Sequence, residues 1–150
     1  SAAAALRQSV EQEAKLRAQA ELLQELSAPL IPLSDGVMVM PLIGMLDRQR
    51  AAQVLTTLLE GLSSSGAHTV ILDLTGVRAM DSQITEALSR AAQAVRLLGA
   101  QVILTGIRAE VAQLLVSRGT ELPGLITRST LQSGIAYAMQ AARKVKPGLR

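Results

Sequence analysis

The chain has 150 residues, enough for one domain with a substantial hydrophobic core. It contains no cysteine and a single histidine, His68, which excludes disulfides, thiolate metal sites and metal sites built from several histidines. The formal net charge is +3, and the basic residues are scattered apart from a cluster at residues 143–150. Tyr137 is the only aromatic residue, so a basic face lined with stacking aromatics is missing and nucleic-acid binding is disfavoured.

The first predicted element is a helix over residues 3–26, which has no glycine or proline and is rich in strong helix formers. Its larger apolar residues make a narrow stripe surrounded by charges: Leu6, Val10, Leu16, Ala20, Leu23 and Leu26. So narrow a stripe is typical of a helix–helix seam rather than of a core helix. We therefore interpret residues 1–26 as a dimerising connector helix. The alternative is a helix that lies on its own domain.

The chain starts Ser-Ala-Ala-Ala without a methionine, so we expect it to be a fragment of a longer protein. No stretch approaches the roughly 18 consecutive apolar residues of a membrane span. No signal-peptide pattern is present either. These features, with the absence of cysteine, predict a cytoplasmic protein.

A β-hairpin is predicted after the connector, because the apolar runs LIPL and VMVMPL flank a turn that contains Asp35-Gly36. Helical and strand patterns then alternate: helix 47–62, strand 69–74, helix 82–98, strand 101–106, helix 108–119, strand 125–129 and helix 130–144. Such alternation predicts right-handed crossovers and a mostly parallel sheet covered by helices. We place residues 28–145 in one domain, followed by a basic tail at 146–150.

The sequence contains no phosphate-binding P-loop, no Gly-x-Gly-x-x-Gly fingerprint and no Gly-x-Ser-x-Gly nucleophile motif. Ser82 has no partner base, because His68 begins the strand that Ser82 follows and lies roughly 20 Å away. Asp73 sits inside a hydrophobic strand, where a carboxylate commonly accepts hydrogen bonds from a neighbouring loop. No nucleophile, base and stabiliser converge, so we expect no catalytic residue, no metal and no cofactor.

The pair Asp81-Ser82 lies where the chain turns from strand into helix. In one interpretation Asp81 caps the helix and Ser82 is its first residue, because the first N–H groups of a helix lack internal partners. In the other, Ser82 is exposed at the end of a parallel strand and accepts a phosphate, which adds about −1.5 to −2 charges. The helix tolerates that charge and an acidic partner does not, so phosphorylation would switch binding. Thr75, Thr85 and Thr105 are alternative acceptors.

Four separate blocks carry a family resemblance: LSAPLIPLSDGVMVMPLIGMLD, VILDLTGVRAMDSQ, AVRLLGAQVILTGIRAEVAQ and LITRSTLQSGIAYAM. Over about residues 26–140 the chain resembles the STAS domain and, more narrowly, stressosome scaffold and co-antagonist proteins of the RsbR type. The resemblance implies an α/β, SpoIIAA-like fold: a small mixed β-sheet with about four helices mainly on one face, after an N-terminal connector helix. It also implies a non-enzymatic partner-switching module without cofactors.

The resemblance further implies a phosphorylation site and a set of partners. Ser82 occupies the position of the hydroxyl residue that a Ser/Thr switch kinase of the RsbT type phosphorylates in related proteins, and Asp81 matches the residue before it. Met80, Gln83 and Thr85 would then contact the kinase beside the acceptor. The other implied partners are an RsbS-like STAS protein, further copies of the chain in a higher-order scaffold, and an upstream sensor domain.

Arg108 and Glu110 match the block GIRAE and are candidate contacts of unassigned role. Some RsbR proteins have a second acceptor threonine in the helix that follows, whereas this helix has no hydroxyl until Ser117. Two other functions compete with the scaffold: a simple anti-sigma factor antagonist, and a small α/β enzyme or ligand-binding domain. The long connector and the block AVRLLGAQVILTGIR favour the scaffold over the first, and the second requires a pocket with convergent polar groups.

Overall fold

A computed structural model gives the fold and describes residues 1–27, 29–80, 83–117 and 125–145. Its elements in chain order are α1 (Ala2–Ser27), β1 (Ile31–Ser34), β2 (Val37–Leu46), α2 (Arg48–Ser65), β3 (Thr69–Met80), α3 (Ile84–Leu97), β4 (Gln101–Thr105), α4 (Ala109–Ser117), β5 (Leu125–Arg128) and α5 (Leu131–Val145). The predicted order of a long helix, a hairpin and alternating helices and strands is confirmed.

The five strands form one mixed sheet in the order β1-β2-β3-β4-β5, so each strand lies beside its neighbour in sequence. β1 and β2 are antiparallel, whereas β2, β3, β4 and β5 are parallel. The hairpin turn contains Gly36 with φ of 78°, a left-handed conformation that glycine adopts without steric cost. The helices α2, α3 and α4 are the crossovers between the parallel strands.

Two apolar clusters fill the two faces of the sheet. Under α2 and α3, strand residues meet the helix residues Leu58, Leu62, Leu88 and Val95, and the strands contribute Met40, Leu42, Val70, Leu72, Val102 and Leu104. On the opposite face, Val37, Val39, Ile71 and Ile103 pack against Ala138 of α5. Successive side chains of a strand point to opposite faces, so the continuous apolar runs of β3 and β4 supply both clusters.

α5 approaches the sheet closely because residue 134 is glycine. A Cβ at Gly134 would overlap Thr105 Cγ2 and would lie 3.6 Å from Ile103 Cγ2. The backbone of α5 therefore rests directly on the second half of β4, nearest to its last residue, Thr105.

β3 extends to Met80 and is twice as long as the predicted strand 69–74. β4 follows β3 only as far as the pair Asp73–Thr105, so the second half of β3 pairs with β2 alone. The register between β2 and β3 shifts twice in this half. The prediction ended too early because this half, Thr75–Met80, includes a glycine and exposed polar side chains instead of a continuous apolar run.

α1 is a single helix of 26 residues, and every side chain is exposed over residues 1–19. Leu6, Val10 and Leu16 of its apolar stripe are exposed by 67%, 57% and 66%. This part of α1 therefore does not lie on the domain that follows it. None of the helices within the described ranges is long and apolar enough to cross a membrane.

Candidate functional site

The carboxyl ends of the parallel strands β2 to β5 lie along one edge of the sheet, which we call the carboxyl edge. Met80 ends β3 there, and Gln83 precedes the first residue of α3. Arg108 precedes α4, and Glu110 lies in the first turn of that helix. Because parallel strands end on the same side, the fold brings these predicted residues to one edge although they are far apart in sequence.

Asp81 and Ser82, the central pair of the predicted site, lie outside the described residues. Capping by Asp81 and phosphorylation of Ser82 therefore both remain predictions. On one side of the pair, Met80 is partly buried against the cluster under α2 and α3. On the other side, Gln83 is exposed and its side chain makes no capping hydrogen bond to α3, which begins at Ile84 rather than at 82.

The three alternative acceptors differ in exposure. Thr85 and Thr105 are completely buried, whereas Thr75 is exposed. Thr75 is therefore the only one of the three with exposed surface, but its hydroxyl is bound to the largely buried Asp73. The burial of Thr85 also places its side chain beneath the surface that a partner would touch.

Asp73, in the first half of β3, is joined to the end of β4 through its carboxylate, which is largely buried. Thr105 Oγ1 donates to Asp73 Oδ1 at 2.7 Å, and Thr75 Oγ1 donates to the same oxygen at 2.9 Å. The prediction of donors in a neighbouring loop was wrong: both donors belong to strands. The register pairs Asp73 with Thr105 across the sheet and therefore brings the first donor within reach.

The loop between β4 and α4 is fixed on β3 by two contacts at Thr75. Arg108 Nη2 donates to the backbone oxygen of Thr75 at 3.1 Å. Gly106, with φ of 72°, lies so close that a Cβ there would overlap Thr75 Oγ1. Arg108, predicted as a contact of unassigned role, thus holds this loop to the strand that leads to the candidate acceptor.

The start of α2 contributes residues that the sequence analysis missed. Asp47 caps α2, because its Oδ1 accepts from the backbone N–H of Arg50 at 2.8 Å. Arg48 donates to Gln83 Oε1 and so connects the starts of α2 and α3. The pattern DRQR at residues 47–50 contains the capping signal, but no sequence pattern reveals a contact between residues 35 positions apart.

The described part of the chain has a small crevice but no cluster of metal-ligating side chains. No group of three or more His, Cys, Asp or Glu residues there could hold a metal ion. A small crevice between α2 and α3 is lined only by aliphatic residues, among them Leu46, Val54 and Leu88. Such a lining offers no polar group to orient a ligand.

Comparison with known proteins identifies the family to which this fold belongs. The family model described as the STAS domain matches residues 28–133. The RsbT co-antagonist protein RsbRA of Bacillus subtilis is 42% identical over 132 residues, which are 88% of this chain and 48% of RsbRA. The chain thus spans about half the length of that relative.

Two solved structures resemble the fold closely. A single-residue variant of RsbS from Moorella thermoacetica matches with a TM-score of 0.67 and 28% identity, over 77% of this chain and 97% of that chain. A chain from a structure of the molecular architecture of the stressosome matches with a TM-score of 0.62 and 25% identity, over 77% and 99%.

Proposed function

This chain belongs to the STAS domain family, and from that premise we propose that it is the STAS part of a stressosome co-antagonist. In this role it binds a Ser/Thr kinase of the RsbT type and an RsbS-like STAS protein within a larger scaffold. The observation that carries the proposal is the 42% identity to an RsbT co-antagonist protein over 88% of this chain. The function is partner exchange in the cytoplasm, without catalysis and without a cofactor.

We place the phosphorylation that regulates this exchange on Ser82. Support comes from the order of the chain, in which Asp81-Ser82 follows the end of β3 and precedes the start of α3, two elements that meet the carboxyl edge. Both neighbours of the pair are anchored: Met80 by apolar packing, and Gln83 by Arg48. A phosphate on Ser82 would add negative charge where a partner approaches and would repel an acidic surface without disturbing either anchor.

We also propose an organisation for the whole protein. Residues 1–26 connect the domain at 28–145 to an upstream sensor and pair with the same helix of a second copy, and residues 146–150 form a basic tail. The exposure of Leu6, Val10 and Leu16 supports pairing, since the described part of the chain does not cover these three side chains.

The test is phosphorylation by RsbT from Bacillus subtilis with ATP and Mg²⁺, followed by phosphosite mapping with mass spectrometry. We expect phosphate on Ser82 of the chain and none on that peptide in the Ser82→Ala variant. RsbRA from the same organism serves as the positive control. If RsbRA is phosphorylated while Ser82 stays unmodified, the acceptor role is wrong and the interpretation of Asp81-Ser82 as a helix start prevails.

A further inference from the structure

The second half of β3 contains a bulge at Arg78. In the register with β2, Val77 lies opposite Gly44 and Ala79 lies opposite Met45, so no residue of β2 lies opposite Arg78. Bulges bend a strand locally and redirect a side chain, and they are common beside functional sites. Arg78 is exposed, and within the described ranges its guanidinium makes no hydrogen bond or ion pair.

Arg78 differs in this respect from the other arginines at the carboxyl edge. Each of those has a partner within the fold. Arg48 donates to Gln83, Arg50 donates to the backbone oxygens of Ile43 and Met45, and Arg108 donates to the backbone oxygen of Thr75. The guanidinium of Arg128 lies 4.3 Å from the ring centre of Tyr137. Their positions are explained by the fold itself. The position of Arg78 is not, so its planar set of donors is available to an external carboxylate.

Two apolar side chains lie on the strand next to this bulge. Ile43 and Met45 of β2 are exposed by 55% and 61%, on the face opposite to Leu42 and Leu46, which are buried under α2 and α3. Among the residues whose side chains the structure describes, α5 packs on this face near the start of β2, at Val37 and Val39. Ile43 and Met45 are thus unusually exposed for large apolar residues within a strand.

The backbone under these two side chains is held in place. β1 pairs with β2 only from Val37 to Val39, so the outer side of β2 beyond that point has no neighbouring strand within the described ranges. Arg50 of α2 donates to the backbone oxygens of Ile43 and, at 2.9 Å, of Met45. This contact satisfies two edge carbonyls and orders the segment before any partner arrives, which lowers the entropic cost of binding.

We propose that Ile43, Met45 and Arg78 form a docking surface for the kinase that phosphorylates Ser82, and that Arg78 pairs with an aspartate or glutamate of that kinase. The inference rests on the proposed function and adds a kinase-binding surface to it. The unpaired guanidinium of Arg78 carries it, since a guanidinium beside exposed apolar side chains would be complementary to an acidic group at the border of an apolar contact. Arg78 precedes Asp81 by three residues, so a kinase that reaches the acceptor also approaches this surface.

The experiment measures KM and kcat of RsbT from Bacillus subtilis for the chain as its protein substrate. We expect Arg78→Glu to raise KM about tenfold, the factor that 1.4 kcal/mol of lost binding free energy produces, with little change in kcat. The double variant Ile43→Thr/Met45→Thr should also raise KM. Higher salt should raise KM for the wild-type chain and raise it less for Arg78→Ala.

Arg96→Glu is the matched control, since Arg96 is an exposed arginine in the last turn of α3, at the opposite end of the sheet. It should leave KM unchanged, and thermal melts should show that Arg78→Glu folds as the wild type does. If the wild-type chain is phosphorylated and Arg78→Glu has the KM of Arg96→Glu, the docking surface is wrong and the acceptor stands. If Arg78→Glu weakens only the binding of an RsbS protein, the occupant is the sibling domain and the inference fails. No phosphorylation of the wild type defeats both proposals.

Discussion

Asp73 connects β3 to β4 at the level where β4 ends. Its exposed fraction is 8%, and one of its oxygens accepts from two threonine hydroxyls on β3 and β4. The burial of an ionised carboxylate is unfavourable unless hydrogen bonds replace the lost water. The two donors differ in one property that makes them separable by mutation: Thr105 is buried and Thr75 is exposed.

Replacement of Thr105 by valine should therefore cost much more stability than the same change at Thr75. Valine has the shape of threonine, so Thr105→Val removes a donor from a buried carboxylate without opening a cavity, and we expect about 1.5–3 kcal/mol of lost unfolding free energy. At Thr75, water can replace the hydroxyl, and the loss should stay below about 1 kcal/mol. Urea denaturation at 25 °C measures both, and equal losses would contradict the assigned difference.

At the residue scale, sequence reasoning recognised Asp73 as a buried acid but not its donors. Asp73 and Thr105 are 32 positions apart and meet only because β3 and β4 pair in one particular register. The sequence analysis did not predict a role for Arg78 for a related reason, since the bulge at Arg78 results from a register shift between β3 and β2. Single-residue properties could be read from the sequence, whereas contacts set by strand register could not.

At the scale of elements, α5 and β4 are brought together by Gly134. The atom nearest to an added Cβ is Thr105 Cγ2, part of a buried, β-branched side chain whose hydroxyl is bound to Asp73. Such a side chain has little freedom to move aside. Gly61 of α2 is also crowded, but there an added Cβ would meet the end of the Leu30 side chain, which is flexible.

Alanine substitutions at the two glycines should therefore change the unfolding free energy differently. Gly134→Ala forces α5 away from β4 at a cost of about 1–3 kcal/mol. Gly61→Ala should be neutral or stabilising by up to about 1 kcal/mol, because alanine favours helix and Leu30 can change rotamer. Thermal or urea unfolding of the two variants gives the comparison. A Gly134→Ala protein at least as stable as Gly61→Ala would show that α5 is not seated as described.

The predicted elements matched the structure best where hydrophobic periodicity continued through the whole element. The predicted ends of α3 and β4 lie within two residues of the observed ends. The buried residues of α3 recur at helical spacing, and those of β4 form one short continuous run. The end of β3 was missed by six residues, since Thr75–Met80 pairs on one side only and has a mixed pattern. The last turn of α2 was missed because its three serines suggested a loop, whereas the left-handed cap is Gly66.

At the scale of the whole molecule, we propose that α1 determines how copies associate. Leu6, Val10 and Leu16 face solvent along a helix that does not rest on its own domain over residues 1–19. We expect the chain to sediment as a dimer and the double variant Leu6→Glu/Leu16→Glu to sediment as a monomer, because four buried charges would oppose each other across the seam.

The control for this prediction adds the same charges to the opposite face of the helix. Ala4 and Ala18 lie there by the 3.6-residue period, so Ala4→Glu/Ala18→Glu should remain dimeric. Sedimentation velocity distinguishes the two states. A dimer that survives both double variants would place the contact on the sheet domain instead of α1.

The strand order limits the kind of binding site that the loops of this sheet can form. In open sheets that hold nucleotides, the strand order reverses, neighbouring crossovers leave toward opposite faces, and a crevice opens between them. The described strands run from β1 to β5 without a reversal. A strand order of this kind does not create such a crevice, and the loops at the carboxyl edge follow one another in a row. Under the proposed function, sequence change along that row would alter which protein is recognised, so one scaffold could diversify its partners while its fold stays constant.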